Sequence, residues 1–173
     1  MRQIRTRRAA VVTAVLGLAL TAASAQAQAQ SAPASSAPAS ARTAVNAPIT
    51  VTLTVKGPNN STIFNGSIKT TGHTVTTASG GTHRCDGTNN GANPKPGATP
   101  TAALDDAAKK KGFTWDGVWY PSFDDYFVST IAGKNGGNEA YWNIAVNGTA
   151  TPVGGCQFRI KAGDKVAFTW TEL

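Results

Sequence analysis

The sequence predicts an α+β fold: a small antiparallel β-sheet domain with one packed helix and one disulfide. Three observations carry this expectation. Apolar and polar residues alternate with period two at Ile49, Val51, Leu53 and Val55, and again at Val166, Phe168 and Trp170, the pattern of half-buried strands. One stretch, Thr99 to Gly112, changes to helical spacing. Two cysteines, Cys85 and Cys156, are the only thiols in the 173 residues.

The first 25 residues read as a signal peptide. Arg2, Arg5, Arg7 and Arg8 precede an uncharged Ala/Val/Leu run from Ala9 to Ala23, and Ala23-Ser24-Ala25 offers a small-residue cleavage site. The apolar run is shorter than the roughly 20 residues a membrane span needs, so no membrane span is expected. Residues 26–45 form an Ala/Ser/Pro linker with too little apolar bulk to offset chain entropy. Residues 46–173 are the folded domain.

Within it, Ile49 to Val55 is the first strand, ended by Gly57-Pro58-Asn59-Asn60. Asn65-Gly66, between Ser61–Phe64 and Ser67–Thr71, has the composition of a type I′ turn and predicts a hairpin there. A second, more polar hairpin is expected from His73–Ala78 and Thr82–Cys85 around Gly80-Gly81. A Gly/Asn/Pro loop follows to Ala98. Thr99 then suits an N-cap, Pro100 the first turn and Gly112 the stop. Leu104, Ala107 and Ala108 give the helix a narrow apolar face. Asp105 and Asp106 lie ahead of Lys109, Lys110 and Lys111 in the order that complements the helix dipole. Two aromatic strands, Phe113–Tyr120 and Tyr126–Ile131, flank a Pro121-Ser122 turn, and Lys134–Asn138 is a loop. Tyr141–Val146 is a strand with Trp142, Ile144 and Val146 on one face, turned by Asn147-Gly148, and the last strand follows Gly163-Asp164.

The net charge of +7 overstates the basicity of the domain. Four of the 16 basic residues lie in the first 25 and none of the nine acids does, leaving twelve against nine, or +3. A nucleic-acid binder would show a basic stripe. The one basic cluster, Lys109–Lys111, has its own explanation at a helix C-terminus, so no nucleic acid is expected. In an exported chain two cysteines are expected to pair. The other reading, a metal site at His83 and Cys85, has too few ligands for zinc. No metal and no cofactor are expected.

The order of the C-terminal elements carries a resemblance. Tyr141-Trp142-Asn143-Ile144-Ala145-Val146-Asn147-Gly148 is followed by Gly154-Gly155-Cys156, then by Ile160-Lys161-Ala162-Gly163-Asp164-Lys165-Val166-Ala167-Phe168-Thr169-Trp170. Over roughly Ile49 to Leu173 the chain resembles the transcobalamin-like C-terminal domains, a family of unknown function. The resemblance implies a β-rich fold with a helix packed on the sheet. In the vitamin-transport proteins that name the family, this domain closes over cobalamin held by a large helical domain, which has no counterpart here. What the resemblance implies is a secreted, extracellular binding module.

Catalytic motifs are missing: there is no GxSxG, no HExxH and no Gly-rich phosphate loop. Asp124 and Asp125 are adjacent, so in a strand they face opposite sides and make no carboxylate pair. The expectation is a protein that is not an enzyme. Asp86-Gly87-Thr88-Asn89-Asn90-Gly91 lacks the closing acid of a calcium loop, since Gly97 stands at position twelve. More informative is the run holding Trp115, Trp119, Tyr120, Phe123, Tyr126 and Phe127. Strand alternation prevents all these rings from facing one core, and exposed rings are common contacts at binding surfaces. Trp115, Trp119, Tyr120 and Tyr126, with Tyr141 and Trp142, are the candidate ligand-binding residues. The expected partner is a small molecule, a glycan or an extracellular protein. The alternative is a structural or inhibitor-like protein that presents the disulfide-pinned loop from Asp86 to Pro100 to a protein.

Overall fold

The computed structural model describes residues 45–173. The signal peptide and nearly all of the linker expected from sequence lie outside the described residues. Ten strands and one α-helix follow in chain order: β1 (Ile49–Lys56), β2 (Thr62–Thr70), β3 (His73–Thr77), β4 (Gly81–Cys85), α1 (Pro100–Lys111), β5 (Trp115–Tyr120), β6 (Asp125–Ile131), β7 (Lys134–Asn135), β8 (Ala140–Val146), β9 (Thr149–Ala150) and β10 (Lys165–Glu172). They form a five-stranded sheet in the order β2-β1-β10-β8-β9, a β3-β4 hairpin and a three-stranded sheet β5-β6-β7. The fold is thus β-rich with one helix, as expected, and Cys85 is bonded to Cys156.

Pairing is antiparallel throughout except between β1 and β10, which run parallel with Leu53 opposite Val166 and Val55 opposite Phe168. The first and last strands of the domain are therefore neighbours at the centre of the sheet. Their alternation places Val51, Leu53, Val55, Val166 and Phe168 on one buried face. Helix α1 covers that face with Ala103, Leu104 and Ala107. Its ends are as the sequence predicts: the Thr99 side chain accepts from the Ala102 N–H, and Gly112 takes φ 74°. The buried face is wider than the narrow stripe expected, because Thr101, Ala102 and Asp105 are buried too. Small side chains let the helix approach closely. Gly155 lies so near that a Cβ there would stand 2.2 Å from Thr101 Oγ1.

The expected hairpin at Asn65-Gly66 does not form. Both residues sit inside β2, opposite Thr54 and Leu53. The chain reverses earlier, where Asn59 and Asn60 hold φ 55° and 58°, so these asparagines take the left-handed conformations a tight reversal needs. The loop expected at Lys134–Asn138 contains the two-residue β7.

A second, smaller core joins the two minor sheets. Val75, Cys85, Tyr126 and Cys156 are buried together, with Trp115 and Trp119 packed against them. The Tyr126 hydroxyl donates towards the carbonyls of Val75 at 3.0 Å and Gly81 at 2.8 Å, tying the β5-β6 hairpin to the β3-β4 hairpin.

Candidate functional site: an aromatic cleft beside the disulfide segment

The β5-β6 hairpin is closed by Pro121–Asp124. The Phe123 and Asp124 N–H groups donate to the Tyr120 and Pro121 carbonyls, and Asp124 has φ 48°. This turn lifts Phe123 into solvent, where it is 63% exposed. In β6 the period of two sends Tyr126 and Val128 inward and Phe127 outward. Tyr120, Phe123 and Phe127, with Val153 from the segment after β9, are exposed apolar side chains. They flank a cleft of about 450 Å³ that Asn90, Asp125, Tyr126, Thr151, Pro152, Gly154 and Gln157 also line. That volume falls within the range of small-molecule sites, and apolar walls with a few polar groups are their usual make-up.

Asp125 holds the two walls together. Its carboxylate accepts from the Cys156 N–H at 3.0 Å and from the Tyr126 N–H at 2.8 Å. Gly154 passes directly over it; a Cβ there would lie 2.2 Å from Oδ2. Burial pushes the Asp125 carboxyl up to about 6, against the pull of the Cys156, Tyr126 and Gln157 N–H groups, and the neighbouring Asp124 charge adds to the rise. Gln157 reaches back to the Phe123 carbonyl. One wall is therefore the hairpin and the other the disulfide segment, joined by a buried carboxylate.

The six aromatic candidates fall into three places. Tyr120 is on the rim of the cleft and Tyr126 on its floor. Trp115 and Trp119 stand behind Tyr126, with ring centroids 6.0 and 4.8 Å from it, and Trp119 stacks on His83 at 3.9 Å. Tyr141 and Trp142 are on β8, in the main sheet; Trp142 is buried there and its indole N–H donates to the Lys134 carbonyl. Phe123, Phe127, Val153 and Asp125 were not in that set. For Phe127 a signal existed: its position between two inward residues of a strand.

A second polar cluster lies beneath the helix. Asp105 is buried and accepts from Trp115 Nε1 at 3.1 Å, His73 Nε2 at 2.9 Å and Lys109 Nζ at 2.5 Å. It does more than complement the helix dipole. Burial alone would raise its carboxyl, but the hydrogen bonds from His73, Lys109 and Trp115 outweigh that and hold it below the ordinary value. The hydrogen bond to Asp105 raises His73, against burial, with help from the Thr71 carbonyl and the charge of Asp106. The loop after Cys85 is also turned inward. Asp86 Oδ1 accepts from the Thr88 N–H and hydroxyl, buried Asn89 donates to the Arg84 and Asp124 carbonyls, and Asn93 donates to those of Gly87 and Gln157.

Residues 97–172 match the sequence model of a domain of unknown function, DUF4430. No curated protein matches the chain. Among solved structures, haptocorrin in complex with Cbi is similar with a TM-score of 0.48 at 15% identity, over 74% of this chain and 26% of that one. The chain thus spans about a quarter of the haptocorrin chain it matches. No helix among the described residues is long and apolar enough to cross a membrane.

Proposed function

We propose that the domain is an exported, non-catalytic binding module whose ligand lies in the cleft between the β5-β6 hairpin and the disulfide segment. The observation that carries this is the set of exposed rings, Tyr120, Phe123 and Phe127, around a cleft with a buried carboxylate in its wall. Exposed aromatic rings are costly in water unless a partner covers them. Such walls suit a compact ligand with a flat apolar face and hydrogen-bonding groups at its edge, which the Asn90 amide and Tyr120 hydroxyl can meet. A buried disulfide fits an oxidising compartment, in keeping with the Arg-rich, apolar N-terminus. The histidines support a non-catalytic reading: His73 is engaged by Asp105 and Thr71, and His83 by the face of Trp119.

The test is a titration of the oxidised protein with flat-ring probes: a corrinoid first, because of the resemblance in sequence, then a porphyrin and a flavin. Tryptophan fluorescence is the readout, since Trp119 contacts the Tyr126 floor. At least one probe is expected to bind saturably, and Phe123→Ala or Phe127→Ala to weaken it by about tenfold, the loss of a central aromatic contact. Saturable binding by none of them, or binding indifferent to both substitutions, would retire the proposal.

A further inference from the structure

A pair of clefts opens where β10 outruns its parallel neighbour. The last β1 residue, Lys56, pairs with Thr169. Beyond it Trp170, Thr171 and Glu172 are held only by β8, opposite Trp142, Tyr141 and Ala140. On the side β1 has left, a cleft of about 380 Å³ lies between β10 and the turn that holds Asn59 and Asn60. On the other side, a cleft of about 560 Å³ lies between β10 and the loop that holds Asn138 and Glu139. Trp170 and Glu172 line both. The Trp170 indole is half-buried, braced edge-to-face on Trp142 with centroids 5.4 Å apart.

Several polar side chains around this indole have no internal partner, although Asn135, which lines the larger cleft, donates to Thr130 Oγ1 and accepts from the Gly137 N–H. Among the described residues, Asn59, Asn60 and Asn138 make no side-chain hydrogen bond, and Glu139 and Glu172 make no ion pair, whereas Lys56 donates to Thr62 Oγ1. An amide offers two donors and an acceptor, and a carboxylate accepts only. These capacities match vicinal hydroxyl groups, each of which donates and accepts. The negatively polarised face of an indole attracts weakly positive C–H groups, which the faces of a pyranose ring present. A largely apolar ligand would leave the amides unpaired, which is costly. A polyanion would meet two carboxylates against one lysine.

We propose that these two clefts form a saccharide site for a neutral or amino-bearing oligosaccharide, with Trp170 between adjacent sugar units. The site is separate from the aromatic cleft. That cleft is walled by the segment following β9, which is tied at Thr151 to the Ile144 carbonyl, while these clefts flank the Ala140 end of β8.

The experiment is calorimetric and heteronuclear-NMR titration of the oxidised protein with cellotetraose, xylotetraose, N-acetylchitotetraose and chitotetraose, with oligogalacturonate as the anionic control. A neutral or amino-bearing oligosaccharide is expected to bind below about 1 mM, shifting the Trp170 indole N–H. Trp170→Ala should weaken it at least tenfold and the Asn138→Ala/Glu172→Gln double variant several-fold, while Phe123→Ala leaves it unchanged. Trp170→Ala also removes a contact to Trp142, so the double variant, confined to surface groups and checked for an unaltered melting temperature, decides if Trp170→Ala fails to fold. No saturable binding up to about 10 mM, binding that survives the double variant, or preference for oligogalacturonate would overturn the proposal.

Discussion

Asp125 is buried and yet placed where three backbone N–H groups point at it, and the two influences oppose each other. Burial wins, so its proton is held up to about 6, against an ordinary 3.8. A carboxyl whose proton is bound more tightly in the folded state contributes stability that is complete below pH 3.8 and is lost as pH rises through 6. A shift of about two units corresponds to roughly 3 kcal/mol. His73 acts in the same direction at higher pH: its raised value gives stability below 6.5 that is lost as pH climbs through the folded value. Asp105 acts oppositely, its lowered value giving stability above 3.8 that is lost on further acidification. Thermal unfolding followed across pH should therefore show maximal stability near about pH 4, with a decline towards neutrality. Asp125→Asn should flatten the decline below pH 6, and His73→Gln the part above about 6.5. A melting temperature that rises steadily from pH 4 to 8 would contradict both assignments.

Among the elements, β2 shows how a local signal yields to its neighbours. Asn65-Gly66 favours a turn in isolation, but Phe64 and Ile68 are buried on the same face of one continuous strand. A turn at Gly66 would break the pairing that buries them. Gly66 does not have positive φ, and an added Cβ would meet Phe64 only at an ordinary 3.5 Å. Gly66→Ala is thus expected to raise stability by about 0.5 to 1 kcal/mol, by restricting the unfolded chain, as a shift in the urea midpoint. A loss of more than that would mean the position needs glycine after all. Elsewhere the local signals and the fold agree. Thr99, Pro100 and Gly112 bound the helix, Asn147-Gly148 turns the chain with φ 53° and 84°, and Trp142, Ile144 and Val146 share a face. The candidate site was legible only in part. Tyr120 and Tyr126 belong to it, but Trp142 is core, and Asp125 could not be placed, because its partners come from Cys156 and Gln157, some thirty residues away. Alternation within a strand is readable from spacing; which sheet a strand joins is not, and the β1-β10 pair unites residues more than a hundred positions apart.

At the scale of the whole molecule, the disulfide and the main core are separate supports. The large core, to which β1, β2, β6, β8, β10 and α1 contribute, holds neither cysteine, whereas the small core consists of Val75, Cys85, Tyr126 and Cys156. The segment around Cys156 is where three pieces meet. The Cys156 carbonyl accepts from Gly87, the Gly155 carbonyl accepts from Thr101 at the start of α1, and the Cys156 N–H donates to Asp125. The bond closes a sequence separation of 71, for which chain entropy gives about 4 kcal/mol. Replacing both cysteines by alanine should lower the unfolding free energy by an amount of that order. The loss should not be spread evenly. Native-state hydrogen exchange should show the β3-β4 amides and those at the Tyr126 end of the β5-β6 hairpin opening first, while Leu53, Val55 and Phe168, and Val128 and Ile131 at the far end of β6, keep protection up to the global unfolding free energy. Ligand binding in the aromatic cleft should weaken together with those hairpin amides, because one wall of the cleft is the segment the disulfide holds. Saccharide binding at Trp170, supported by the main sheet, should persist under the same substitution. Equal loss of protection in both cores would instead make the domain one cooperative unit, and the two sites would then weaken in step.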